Sequence, residues 1–251
     1  MTRSRLIIAA VAVVAAVVIG GFVAYDQVLR GDSAAALALP TASTEPAASA
    51  TTGASTAPAS SAAVATSSDG DVAGTWNVAA DSVAGYRVRE QLANLPAESD
   101  AVGRTDQVTG SITVESSGTT TTLAAASLSV DMTGLTSDKT MRDNRLRREG
   151  LETDAFPTAT FVLTAPVEVP AAALAGTASD ITLTGDLTVH GVTKSVQIPA
   201  QAQLVDGTIQ VAGSLTFPLS DYSIVAPNIG GVIVSIADDG TLEFLVNFTK
   251  G

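Results

Sequence analysis

The sequence predicts an all-β protein: an antiparallel eight-stranded barrel with one short helical segment, preceded by a single transmembrane helix and a disordered tether. Three observations carry this expectation. Residues 181–217 alternate apolar and polar side chains through three successive runs. Residues 6–25 form a 20-residue stretch without a charge, LIIAAVAVVAAVVIGGFVAY. Between these two regions lies a stretch dominated by Ala, Ser, Thr, Pro and Gly.

The apolar stretch comes first in the chain. As a helix it spans roughly 30 Å, the thickness of a hydrocarbon core. Arg3 and Arg5 precede it and predict a cytoplasmic N-terminus, which places the rest of the chain outside. The rival is a cleaved signal peptide with Ala34-Ala35-Ala36 as processing site, which would give a secreted protein. The length of the apolar run favours the uncleaved, single-pass anchor over residues 1–30.

Residues 31–73 contain few large apolar side chains, Leu37 and Leu39 among them. Such a composition cannot offset its ordering entropy by burial, so it predicts a flexible tether. Residues 74–251 then form the folded domain. They hold 20 acidic and 10 basic residues, a net of −10, and are numerous enough for one well-buried core.

Within that domain the alternation identifies strands one by one. Ile181, Leu183, Leu187 and Val189 share one face; Val196, Ile198, Ala200, Ala202 and Leu204 share another; Ile209, Val211, Leu215 and Phe217 share a third. Strands are also expected around Trp76, Tyr86–Val88, Ile112–Val114, Ala126–Val130 and Phe161–Leu163, and over residues 232–237 and 242–249. Turns are expected at Ser117-Gly118, His190-Gly191, Asp206-Gly207 and Asp239-Gly240. Some eight strands, each with one apolar face, suggest closure into a barrel, which removes exposed edges. Residues 137–149 break the pattern and predict a helix with Ser137 as N-cap and Gly150 as its stop. A second short turn is expected from Thr153 to Phe156-Pro157.

Composition excludes several function classes. With no cysteine the chain has no disulfide, thiolate metal site or cysteine nucleophile. His190 is its one histidine, which excludes any scheme that needs two, and no Gly-x-Ser-x-Gly elbow is present. The acidic balance argues against nucleic acid as a partner. Gly230-Gly231 lacks the Lys-Ser/Thr of a phosphate loop, and a hairpin turn accounts for Asp238-Asp239-Gly240 without a metal. No catalytic, metal or cofactor site is therefore expected.

Two ordered motifs point further. The first is Arg142-Asp143-Asn144-Arg145-Leu146 followed by Phe156-Pro157-Thr158-Ala159-Thr160-Phe161. The second is Gly185-Asp186-Leu187-Thr188-Val189-His190-Gly191-Val192-Thr193-Lys194. Together they resemble the YceI-like family, over about residues 74–248. The chain departs from that pattern at Asp81-Ser82, Asn144 and Leu151. The resemblance implies a lipocalin-like antiparallel barrel whose apolar interior holds an isoprenoid or fatty-acyl lipid.

On that basis the side chains expected inside the barrel, as core or as lipid contacts, are Trp76, Tyr86, Phe161, Leu183, Val196, Ile198, Phe217, Phe244 and Phe248. The small residues Ala124, Ala126, Ala200, Ala202 and Gly213 are expected to leave room beside them. Arg142, Arg145 and His190 are the head-group candidates. Lys139, Arg142, Arg145, Arg147 and Arg148 form a basic cluster that fits either a phosphate or a solvated helix face. Arg142 and Asp143 also suit a structural role at the barrel mouth. His190 fits a head-group or acid–base role, but by parity it follows Thr188 onto the polar face, which favours a turn residue bonded to backbone. The leading expectation is a membrane-tethered, extracytoplasmic carrier of a long-chain apolar lipid. Its alternatives are an enzyme acting on such a lipid through His190, and an envelope interaction module with a solidly packed barrel. Association into a homodimer stays open.

Overall fold

The computed structural model describes residues 33–40, 72–93, 98–226 and 233–251. The expected anchor at residues 6–25 and most of the expected tether lie outside the described residues. Among the described residues, no helix is long and apolar enough to cross a membrane.

The strands follow in chain order: β1 (Gly74–Val78), β2 (Val83–Leu92), β3 (Ser99–Thr105), β4 (Val108–Ser117), β5 (Thr120–Asp131) and β6 (Thr136–Ser137). After helix α1 (Thr140–Arg148) come β7 (Thr158–Leu163) and β8 (Val167–Val169). A single helical turn, α2 (Ala171–Leu174), precedes β9 (Ser179–Val189), β10 (Val192–Val205), β11 (Thr208–Pro218), β12 (Ile233–Ile236) and β13 (Asp239–Lys250). Every pairing is antiparallel, and eight strands close a ring in the order β1-β4-β5-β7-β9-β10-β11-β13, with β13 returning to β1. The barrel is thus closed, as the alternation suggested.

The hairpins form where their turn residues permit. His190 and Gly191 have φ of 51° and 71°, and Asp206 and Gly207 have 49° and 74°. Left-handed conformation at both loop positions is what a two-residue hairpin needs to match strand twist. These turns set the registers Val189↔Val192 and Val205↔Thr208.

Strands β1 and β2 lie along the same edge of β13. β1 pairs with residues 248–250 of β13 and β2 with residues 241–245. Between them the chain kinks at Ala79–Ser82, with Asp81 at φ 64°. The Ser82 hydroxyl accepts from Asn247 N at 3.0 Å and donates to Ala79 O at 2.8 Å. Ala79 N donates to Asn247 O at 2.8 Å, so the kink leaves the β13 backbone satisfied there. Beyond the kink β2 turns to β3, which pairs with β6, and this flap diverges from the ring.

Several expectations are corrected. Asp239-Gly240 is not a hairpin turn: both residues lie in β13, paired with Pro218 and Phe217, and β12 and β13 follow one another along β2. Ser137 is not the N-cap of α1, which is Lys139; Ser137 belongs to β6. Ala124 does not point inward, because a bulge opposite Thr113 and Val114 shifts the register and puts Leu123 in the core instead. Strand β3 was missed because its inward side chains, Ala101, Gly103 and Thr105, are too small or polar to register as an apolar face. Gly150, at φ 76°, does end α1, and the turn at Thr153 is present.

The inward faces meet in one core that includes Trp76, Phe161, Leu183, Ile198, Phe244 and Phe248. Small residues here are filled rather than left open. Gly213 pairs directly with Phe244, and a Cβ on it would come within 2.7 Å of that ring and 2.8 Å of Pro199 O. Gly213→Val is therefore expected to cost about 1–3 kcal/mol through overpacking. Urea unfolding that shows no loss of stability in this variant would contradict the packing described.

Candidate functional site

Past the kink, part of the inward face of β2 borders a cavity as well as the packed core. Ala84, Tyr86, Val88 and Glu90 line a cavity of about 280 Å³. The opposite wall comes from Val130 of β5, Ala159 of β7, Val189 of β9 and Phe217 of β11. Helix α1 covers it with Met141, Arg142, Arg145 and Leu146, and Leu151 follows from the loop beyond. The volume lies near the lower end of small-molecule sites, about 300–1000 Å³. One large apolar lining residue, Met141, meets solvent at the mouth, at 66% exposure.

The roof is attached by one ion pair set inside this apolar lining. Arg142 Nη2 donates to Glu90 Oε1 at 2.5 Å, and Nη1 donates to Asp138 Oδ1 and, at 3.3 Å, to Ser137 Oγ. Glu90 is 4% exposed. Burial alone would lower the pKa of Arg142, but Glu90 and Asp138 outweigh it and hold the guanidinium above its ordinary value. Asp143 completes the attachment: its Oδ1 accepts from Ser137 N at 3.0 Å and from Ser137 Oγ at 2.7 Å. The Arg-Asp pair thus ties α1 to β2 inside the barrel and to β6 at its rim.

Beside the ion pair, the Tyr86 hydroxyl is buried without a hydrogen-bond partner. Its ring lies against Gly103, where a Cβ would come within 2.3 Å of it. Burial, opposed by the nearby Arg142, pushes the phenol well above its ordinary pKa. It remains a neutral hydroxyl within an apolar lining.

The structure divides the expected interior residues. Tyr86 and Phe217 line the cavity. Trp76, Phe161, Leu183, Ile198, Phe244 and Phe248 pack into the core, with Val196 against it. Among the head-group candidates, Arg142 and Arg145 line the cavity, but Arg142 is held by its carboxylates and Arg145 lies 3.5 Å from Glu149. His190 lies outside the lining. Its Nδ1 is 3.0 Å from Tyr222 O, its Nε2 is 3.0 Å from Glu152 Oε2, and Phe156 packs on it edge-to-face at 4.4 Å. Both ring nitrogens are thus spent on joining the hairpin to two loops. No group of three or more His, Asp or Glu side chains among the described residues could hold a metal.

Sequence reasoning passed over Glu90, the inward partner of Arg142. Its one available signal was parity, because it continues the face of Ala84, Tyr86 and Val88 as an acid in an apolar row. Leu135, Ile224 and Ile236 also line the cavity. The first two lie outside regular alternation, so no periodicity could mark them.

Known proteins share this architecture. A polyisoprenoid binding domain from Saccharophagus degradans, implicated in plant cell wall breakdown, superposes with a TM-score of 0.54 at 21% identity, covering 70% of this chain and 98% of that one. BcnA of Burkholderia cenocepacia superposes with a TM-score of 0.50 at 20% identity, covering 66% and 95%. At these identities the likeness shows a shared fold. No curated protein sequence matches the chain. Residues 76–248, however, match the YceI-like domain, which is most of the chain, with both the helix motif and the Gly185–Lys194 hairpin inside the match. The protein belongs to the YceI-like family.

Proposed function

We propose that this protein binds an isoprenoid or another long-chain apolar lipid in the cavity beneath α1, and that it does so outside the cytoplasm, tethered to the membrane by residues 6–25. The observation that carries the proposal is the lining itself: almost wholly apolar, roofed by a helix, with exposed Met141 at its mouth. A chain entering it gains about 0.8 kcal/mol per buried methylene before ordering costs. The polyisoprenoid binding named for the Saccharophagus domain supports the same ligand class.

The charges in the cavity also fit a carrier. Glu90 and Arg142 neutralise each other, which leaves the Tyr86 hydroxyl as a neutral donor toward a ligand oxygen. A ligand longer than the cavity would keep its remainder at the mouth, between Met141 and the loop of Ile224 and Ala226. The acid–base candidate His190 is committed to Tyr222 and Glu152 away from the lining, so binding here involves no catalytic residue. Sequestration or carriage is then the whole activity.

Protein purified from membranes is expected to release a long-chain apolar lipid on denaturation, identified by mass spectrometry. Filling the cavity by Ala84→Phe should lower lipid recovery on the order of tenfold, the effect of about 1.4 kcal/mol, with the circular dichroism of the barrel retained. Equal lipid from both proteins would place the ligand elsewhere.

The roof has its own test. Arg142→Met leaves the Glu90 carboxylate buried and unpaired, at an expected cost of about 3–5 kcal/mol. The double variant Glu90→Leu/Arg142→Met removes both charges and should recover most of that loss in urea unfolding. A double variant as unstable as the single one would show that the ion pair is not what holds α1.

A further inference from the structure

Residues 33–40, SAAALALP, lie within the stretch expected to be a free tether, yet they run across the outer face of the barrel. Ser33 Oγ donates to Asp100 O at 3.0 Å and accepts from Asp100 N at 3.2 Å. Arg87 Nη2 donates to Ala34 O at 2.7 Å, and Arg104 Nη2 donates to Ala35 O. Leu37 and Ala38 border a cleft with Thr182, Gln201 and Ala212 on the outside of β9, β10 and β11. Leu39 is 6% exposed, as buried as the core.

The wall is built to receive this segment. Glu243 faces outward on β13 yet is 2% exposed, held by Arg104 at 2.8 Å and by Arg87 at 3.4 Å. The same two guanidiniums reach the carbonyls of Ala34 and Ala35. Charge-assisted bonds of this kind are stronger than neutral ones. The alanine side chains are small enough to let the backbone come that close. Ala212, also on the outward face, is only 6% exposed.

Register fixes which end of the barrel the segment starts from. Ser33 is bonded to Asp100, next to Ser99, which pairs with Glu90. Glu90 in turn holds Arg142 of the roof helix. Ser33, the first residue of the segment, is therefore at the end of the wall where the cavity opens. At that end the exposed Met141 stands beside Lys139 and Arg145, on a helix that also carries Arg147 and Arg148, although residues 74–251 are acidic as a whole.

We propose that residues 33–40 are a clamp that holds the cavity mouth against an anionic bilayer surface. This rests on the reading of residues 6–25 as a membrane anchor. With the clamp engaged, the eight residue steps from Tyr25 to Ser33 reach at most about 28 Å. Without it, the chain from Tyr25 to Gly74 could extend roughly 170 Å, and the mouth could face any direction. Asp138 and Glu149 pair with Arg142 and Arg145, but residues 137–149 keep five cations to three acids. An exposed Met141 on this net-positive surface matches anionic headgroups over acyl chains. The clamp turns a long leash into a short one with a set orientation, so that a lipid passes from bilayer to cavity without crossing water.

The absence of cysteine allows a clean test in the full-length chain. Bimane is attached at Met141→Cys or, on the β4–β5 turn at the opposite end, at Thr119→Cys. The protein is reconstituted into phosphatidylglycerol–phosphatidylcholine vesicles carrying nitroxide lipids. The Met141 label should be quenched and the Thr119 label should not. Two further changes should each bring quenching at Met141 down several-fold to the Thr119 level: Leu37→Asp with Leu39→Asp, and an insertion of about twenty Gly/Ser residues between Gly31 and Asp32. Flotation with the vesicles and the circular dichroism of the barrel should stay unchanged. If the double substitution unfolds the barrel, the insertion alone decides. A protein that floats while its Met141 label is unquenched, or is quenched equally with and without the changes, overturns the clamp and leaves the anchor standing. A protein that does not float overturns both.

Discussion

Strand β13 has one long edge and two strands that compete for it. β1 takes residues 248–250 of β13 and β2 takes residues 241–245. At Asn247 the edge changes hands, and there the backbone bonds go to Ala79 and to the Ser82 hydroxyl. Ser82 is 2% exposed, so a missing partner at this point would leave buried polar groups unsatisfied. The bend it holds sends β1 onward to β4, which closes the ring, and sends β2 to β3, which diverges from it. Closed end and open end follow from that one change of partner.

The two ends solve the packing problem differently. At the closed end, aromatic rings lie over small residues, as Phe244 does over Gly213, and little room remains. At the open end β2, β3, β5 and β7 border the cavity, and a nine-residue helix covers it. That helix has no buried residue of its own, so apolar packing alone cannot seat it. Its position comes from Arg142 reaching into the barrel to Glu90 and from Asp143 turning back to Ser137.

Acids and arginines recur on both faces of the flap. Glu90 faces the cavity and binds Arg142, while Arg87, three residues earlier, faces outward with Arg104 and Glu243. The inner pair fixes the roof, and the outer group fixes residues 33–40. Both carboxylates are almost fully buried, where an unpaired charge would be costly. The flap that creates the cavity is in this way also the element to which the roof and the N-terminal segment are fastened.

Periodicity was enough to identify most ring strands, the hairpins at His190-Gly191 and Asp206-Gly207, and closure as the means of removing edges, because strand parity and turn chemistry act over a few residues. The Arg-Asp motif and the Gly185–Lys194 hairpin pointed to the family for the same local reason. Which inward residues meet a guest was not legible. Phe161 and Tyr86 carry the same alternation signal, yet one packs in the core and the other lines the cavity, and Ala159, two residues from Phe161 on the same face, lines the cavity as well. Glu90 and Arg142 lie 52 residues apart, and nothing in either segment announces the other. Leu37 and Leu39 stood out as apolar residues in a polar stretch, but their place on the wall depends on arginines of two distant strands. Local chemistry determined the elements and the family; long-range pairing decided where the barrel opens, what roofs it and what is fastened to its side.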